Sequence, residues 1–112
     1  MNKFLKTIAT AIVLAPLSSA HAGNTAYGNI TDIITNTAGN QFRVALDVAI
    51  ENPNSCSNTA SYAISGATTN YEATIALLMT AYGAGHQVRL VIDDNACEGS
   101  FPKITSVWVR PN

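Results

Sequence analysis

Thr69-Asn-Tyr-Glu-Ala-Thr-Ile-Ala-Leu-Leu-Met-Thr-Ala-Tyr-Gly-Ala-Gly-His-Gln-Val-Arg-Leu-Val-Ile-Asp93 changes its hydrophobic period once, and that change decides the fold. Thr69 and Glu72 fit a capping box, in which the first caps a helix and the second reaches back from its third position. Tyr71, Ile75, Leu78, Met79 and Tyr82 then recur at helical spacing. Gly83 and Gly85 offer the left-handed stop that ends many helices. The spacing predicts a helix over about 70 to 82 with Tyr71 and Tyr82 packed on its apolar stripe. From His86 to Asp93 the pattern alternates instead. Val88, Leu90 and Ile92 point inward, and Gln87, Arg89 and Val91 point outward, as in a half-buried strand.

Working outward from this junction, Gln41 to Ile50 is the clearest strand. Phe42, Val44, Leu46, Val48 and Ile50 share one face, and Arg43, Ala45, Asp47 and Ala49 the other. Tyr27 to Thr35, rich in β-branched residues, reads as a strand before it. Asn36 to Asn40 is the turn between them. Glu51-Asn-Pro-Asn-Ser55 breaks the second strand, because Pro53 has no N–H and Asn favours turns. Thr59 to Ser65 is a weaker strand ended by Gly66. On the far side, Asp94-Asn95 predicts a turn, and Ile104 to Arg110 a last strand ended by Pro111. The order is β-β-β-α-β-β, a mainly β chain with one helix. That order fits an OB-like five-stranded Greek-key barrel. An α+β layer with the helix across an antiparallel sheet fits it as well, since pairing order is not written in the sequence.

The address is legible at the N-terminus. A basic start (Lys3, Lys6), an apolar run from Thr7 to Leu17 and small residues ending Ala20-His-Ala22 predict a secretory signal peptide cleaved after Ala22. The run is too short for a permanent membrane span. Removing 22 of the 112 residues leaves 90, enough for one domain over 23–112. Four cations (Arg43, Arg89, Lys103, Arg110) then face seven acids, a formal charge of −3. So few basic groups exclude the phosphate-binding footprint of a nucleic-acid protein. One histidine, His86, excludes a multi-histidine metal site within the chain. No cofactor is expected.

Cys56 and Cys97 are the only thiols. In an oxidising compartment, secreted or periplasmic, an even count predicts one intramolecular disulfide. An intermolecular bridge or a redox pair is the alternative, and no Cys-x-x-Cys spacing favours the latter.

Ile75-Ala-Leu-Leu-Met-Thr-Ala-Tyr82-Gly-Ala-Gly85-His-Gln-Val88-Arg89-Leu90 resembles the helix-to-strand junction of the B subunits of subtilase cytotoxin and typhoid toxin. Gln41-Phe-Arg-Val44 and Cys97 fit the same layout. The match is loose over Tyr27 to Val109 and sharpest over Tyr71 to Ile92. The resemblance implies an OB-fold, a homopentameric ring and binding of sialylated host glycans. In those toxins a Ser near the mature N-terminus contacts the sugar. Residues 23–41 hold no Ser here, so the resemblance assigns no glycan-binding residue.

The residues themselves offer a few sites. Asp93, Asp94, Asn95 and Glu98 could ligate Ca²⁺, but they match no EF-hand spacing and suit a turn equally. His86 has no nucleophile or orienting acid at a recognisable spacing, so catalysis is not expected. Trp108 fits a core or interface position better than a sugar platform. Tyr27, Asn29, Thr31 and Asp32 put an aromatic ring beside short donors and acceptors, the set that binds sugars. The charge content is below the usual quarter of residues, which suits a surface partly covered by other copies. Together these readings give a non-enzymatic binding protein recognising a glycan or protein partner as a homo-oligomer. The alternatives are a monomeric periplasmic inhibitor or accessory protein of an envelope enzyme, and a small hydrolase.

Overall fold

The computed structural model describes residues 23–112, so the expected signal peptide and its cleavage site lie outside the described residues. The described residues form six strands and one helix: β1 (Gly23–Asn24), β2 (Ile30–Asn36), β3 (Gln41–Leu46), β4 (Tyr62–Ser65), α1 (Tyr71–Ala84), β5 (Gln87–Glu98) and β6 (Phe101–Arg110). The strands make one sheet in the order β1-β5-β6-β4-β3-β2. All neighbours are antiparallel except β4 and β6, which run parallel at Ala63 and Lys103. No pairing joins β1 to β2 among the described residues, so the sheet is not closed. The expectation of five strands is corrected to six, because a short strand, β1, precedes the first predicted one, which itself begins at Ile30 rather than Tyr27.

The chain between β1 and β2 has a specific geometry. Gly28 bridges Val88 of β5, and Ile30 is already paired with Leu46 of β3. The chain therefore moves from one end of the sheet to the other across Asn29. Upstream, Thr25 N–H donates to the Leu90 carbonyl at 2.9 Å, and the Leu90 N–H donates to Thr25 Oγ1 at 3.0 Å. This holds residues 23–28 along β5. Gly28 is needed at the crossing, where a Cβ would meet Asp47 Oδ1 and Val48 Cγ1 at 2.8 Å.

The core follows the predicted alternation. Val44, Val88, Leu90, Ile92 and Ile104 are fully enclosed, together with Tyr62, Ile64, Leu78 and Ala81. Leu78 and Ala81 thus seat α1 on the inner face of β5 and β6. Burying such side chains contributes roughly 1.5–3 kcal/mol each.

Several local expectations are corrected. The second strand stops at Leu46, not Ile50: Asp47 turns to bond Asn29, and Ile50 is exposed. The third begins at Tyr62 rather than Thr59. The helix cap is Asn70, not Thr69. Asn70 takes the left-handed conformation (φ 62°) and caps with no side-chain hydrogen bond, while its carbonyl accepts from Thr74 N–H at 2.9 Å. Asn is one of the few non-glycine residues that tolerate this region. The helix ends as predicted on Gly85, at φ 71°. Tyr71 packs against the core, but Tyr82 and Met79 are exposed. Asp94-Asn95 is not the hairpin turn. Asp93 Oδ1 accepts the N–H groups of Asn95 and Ala96 at 2.7 and 3.2 Å, folding an irregularity into β5 between the Ile92–Ile104 and Cys97–Pro102 pairs. The true turn is Gly99-Ser100, with Gly99 at φ 60°.

Cys56 and Cys97 form the expected disulfide. It ties the 47–61 connection to the far end of β5. Asn52 braces that connection by bonding the Cys56 N–H and C=O at 2.8 and 2.9 Å. The Tyr62 hydroxyl accepts from the Glu51 N–H at 2.8 Å. Burial pushes the Tyr62 phenol above its ordinary 10.0, and the Glu51 charge adds to this, while the N–H contact opposes both.

Candidate functional site

On β5, the residues facing away from the core are Gln87, Arg89 and Val91. Antiparallel register sets Gln87 opposite Arg110 and Arg89 opposite Trp108. Tyr27 comes alongside from the segment held by the Gly28–Val88 bridge. One outer face of the sheet therefore gathers two rings and two guanidinium groups. The Arg89 guanidinium lies 4.5 Å from the Trp108 ring centre and 5.6 Å from that of Tyr27. That of Arg110 lies 4.0 Å from the Tyr27 ring centre. Both cations are thus held over aromatic faces, where the ring quadrupole attracts them. Arg110 is steadied further, because its Nε and Nη2 donate to Gln87 Oε1 at 3.3 and 3.1 Å. The Arg89 Nε–H is covered and has no hydrogen-bond partner among the described residues. Trp108 keeps half of its surface in solvent (52% exposed) and is not a core residue.

The residues singled out in the sequence as sugar contacts do not assemble as a set. Tyr27 belongs to the face just described. Asn29 is spent on Asp47: its N–H donates to Oδ1 at 2.8 Å and its Nδ2 to Oδ2 at 3.0 Å. These bonds hold the Asp47 carboxyl below its ordinary 3.8. Thr31 Oγ1 bonds Asp32 Oδ2 and the Ala45 carbonyl at 3.2 and 3.3 Å. Asn29 and Thr31 thus serve the β2–β3 junction, and Asp32 lies exposed on the edge strand β2.

Arg89, Trp108, Arg110 and Gln87 form the larger part of the face, and no short sequence motif contains them. Each carries a partial signal: Arg89 falls on the outward side of β5, and Trp108 and Arg110 stand two apart on the last strand. Only the β5–β6 register turns these into one cluster. A second stack, Arg43 over the buried Phe101 ring at 4.5 Å, has a covered Nε–H in the same state.

Elsewhere, an open cleft of about 510 Å³ lies at the start of α1, lined by Ser65, Thr68, Asn70, Asp93, Lys103 and Thr105 among others. Asp93 is engaged in shaping β5. His86 is half-buried at the helix exit, its N–H on the Ala81 carbonyl at 2.9 Å. No group of three His, Cys, Asp or Glu side chains suited to a metal occurs among the described residues. Nor is any helix there long and apolar enough to cross a membrane.

The exposed surface of α1 is also unusual. Leu77, Met79 and Tyr82 are exposed on it, and Glu72 is the helix's one charged residue. A helix apolar on most sides is normally covered on most sides. Comparison with protein-family models and with curated proteins returns no match.

Proposed function

We propose that this protein is a secreted, non-enzymatic binding module built on an OB-like barrel, which assembles with copies of itself and recognises a partner through the outer face of β1, β5 and β6. The barrel reading is supported by the crossing at Gly28–Ile30, where one length of chain borders both ends of the sheet. The parallel β4–β6 contact and the placing of α1 between β4 and β5 fit the same topology. Assembly is supported by the exposed Leu77, Met79 and Tyr82 of α1. The resemblance to the B subunits of subtilase cytotoxin and typhoid toxin points the same way and makes a five-membered ring the expected form.

The observation that carries the binding role is the Tyr27–Arg89–Trp108–Arg110 face. Trp, Tyr and Arg are the side chains that dominate binding energy at interfaces. Here two of the four mature cations are held over rings, Arg110 further oriented by Gln87. The predicted glycan contacts contribute one member, Tyr27, to this face.

A native mass spectrum of the mature, unreduced protein tests the assembly, and a glycan array run on the same sample tests the class of partner. A closed ring, with five subunits, is expected. A clean monomer overturns the toxin-like assembly and favours an inhibitor or accessory role.

A further inference from the structure

Resting on the reading of this molecule as a binding module, we infer that the Tyr27–Arg89–Trp108–Arg110 face docks a protein partner through a segment bearing carboxylate side chains. The charge argument comes first. The mature chain is acidic overall, yet Arg89 and Arg110 converge over a single Tyr27 ring. The hydrogen bonds of Arg110 go to the neutral oxygen of Gln87, which orients the guanidinium without neutralising it. The rings cover guanidinium faces, Gln87 takes the Nε side of Arg110 and the Nε of Arg89 is covered, which leaves the terminal Nη1–Nη2 end of each group to bind a carboxylate in paired hydrogen bonds. The face is therefore a cationic receptor in an acidic molecule.

Order adds to charge. Arginine is flexible, and fixing it on binding normally costs free energy. Here Trp108, Tyr27 and Gln87 hold both side chains before any partner arrives. Trp108 also supplies a half-exposed apolar surface beside the charges, as an interface centre needs.

Shape and composition separate a protein from a saccharide. Ligand sites for small molecules are concave. This face is the outer side of a sheet, and the clefts of about 510 and 410 Å³ lie around the start of α1 instead. A neutral sugar would need the short donors and acceptors of Asn29 and Thr31, which are bonded within the fold.

Trp108 is the sole tryptophan, so its emission reports directly on this face. The probes are octaglutamate, octalysine and tetragalacturonate, titrated at low salt into the mature protein. Octaglutamate is expected to shift the emission saturably, and octalysine is expected to leave it unchanged. Arg89→Gln and Arg110→Gln should each weaken octaglutamate binding by roughly ten-fold, with Tyr27→Phe near the parent because it keeps the ring. Circular dichroism checks that every variant is folded. Silence toward octaglutamate, or an equal response in both arginine variants, overturns the inference. A response to tetragalacturonate alone also overturns it and assigns the face to acidic saccharides. The subunit count by native mass spectrometry is unaffected by any of these results, so failure here is separable from failure of the assembled-ring reading.

Discussion

Asn29 and Asp47 show how much a residue's role depends on what the chain brings to it. In the sequence, Asn29, Thr31 and Asp32 read as sugar-binding donors and acceptors beside Tyr27. In the structure Asp47 ends β3 and takes both donors of Asn29. Nothing in the spacing of 18 residues announces that pairing, because it depends on where β3 stops. Tyr27 instead lies against Arg89 and Arg110, because those neighbours arrive by sheet register. The Asn29 contacts favour the ionised Asp47 carboxylate, so its folded pKa lies below the ordinary 3.8. The stabilisation is therefore present above that ordinary value and is lost as pH falls through the lower, folded one. Asp47→Asn should melt below the parent at neutral pH. The gap should close on acidification below about pH 4, where the parent loses the same advantage. Melting curves across that range check it, and a gap that is constant with pH would remove the charge from the explanation.

Among elements, α1 and β5 carry the contrast. The helix was legible because Tyr71, Ile75 and Leu78 repeat at its period and Gly85 closes it at positive φ. Its cap was misread: Thr69 and Glu72 have the composition of a capping box, but Asn70 adopts the left-handed turn that sets the entry angle. Asp94-Asn95 was misread for a related reason. Asx side chains bond nearby N–H groups, and this serves a bulge inside a strand as well as a hairpin. The stripe was also read too broadly. It placed Tyr82 and Met79 inward, whereas Leu78 and Ala81 do the packing. The face left outside bears on assembly. Leu77→Lys with Met79→Lys changes exposed side chains alone, so the subunit should stay folded with a melting point near that of the parent. Sedimentation should then show the proposed ring replaced by monomer. A ring that survives both lysines would place the subunit contact elsewhere.

For the whole molecule, the mainly β composition, the single helix and the disulfide were legible from alternation, period and cysteine count. The pairing order was not, since strands far apart in sequence meet only in three dimensions. The six-stranded order and the β4–β6 parallel contact came from the fold itself. The Cys56–Cys97 bridge closes a loop of 41 residues. In the chain-entropy account a loop of that length stabilises by about 4 kcal/mol. Replacing both cysteines by serine should lower the denaturation free energy by up to that amount. Urea titration of the oxidised parent against Cys56→Ser/Cys97→Ser measures it. A loss near zero would mean that the turn braced by Asn52 already holds the connection in place.

The crossing at Gly28 also sets the order in which the molecule can be finished. Residues 23–28 have their partners far down the chain, with Thr25 bonded to a residue 65 positions later. Residues 23–28 must wait, unpaired, until β5 has appeared. Contacts of such long sequence separation form slowly. Residues 23–28 are made well before the strand they lock onto, and until they do so the free edge of β5 is open to any other extended chain.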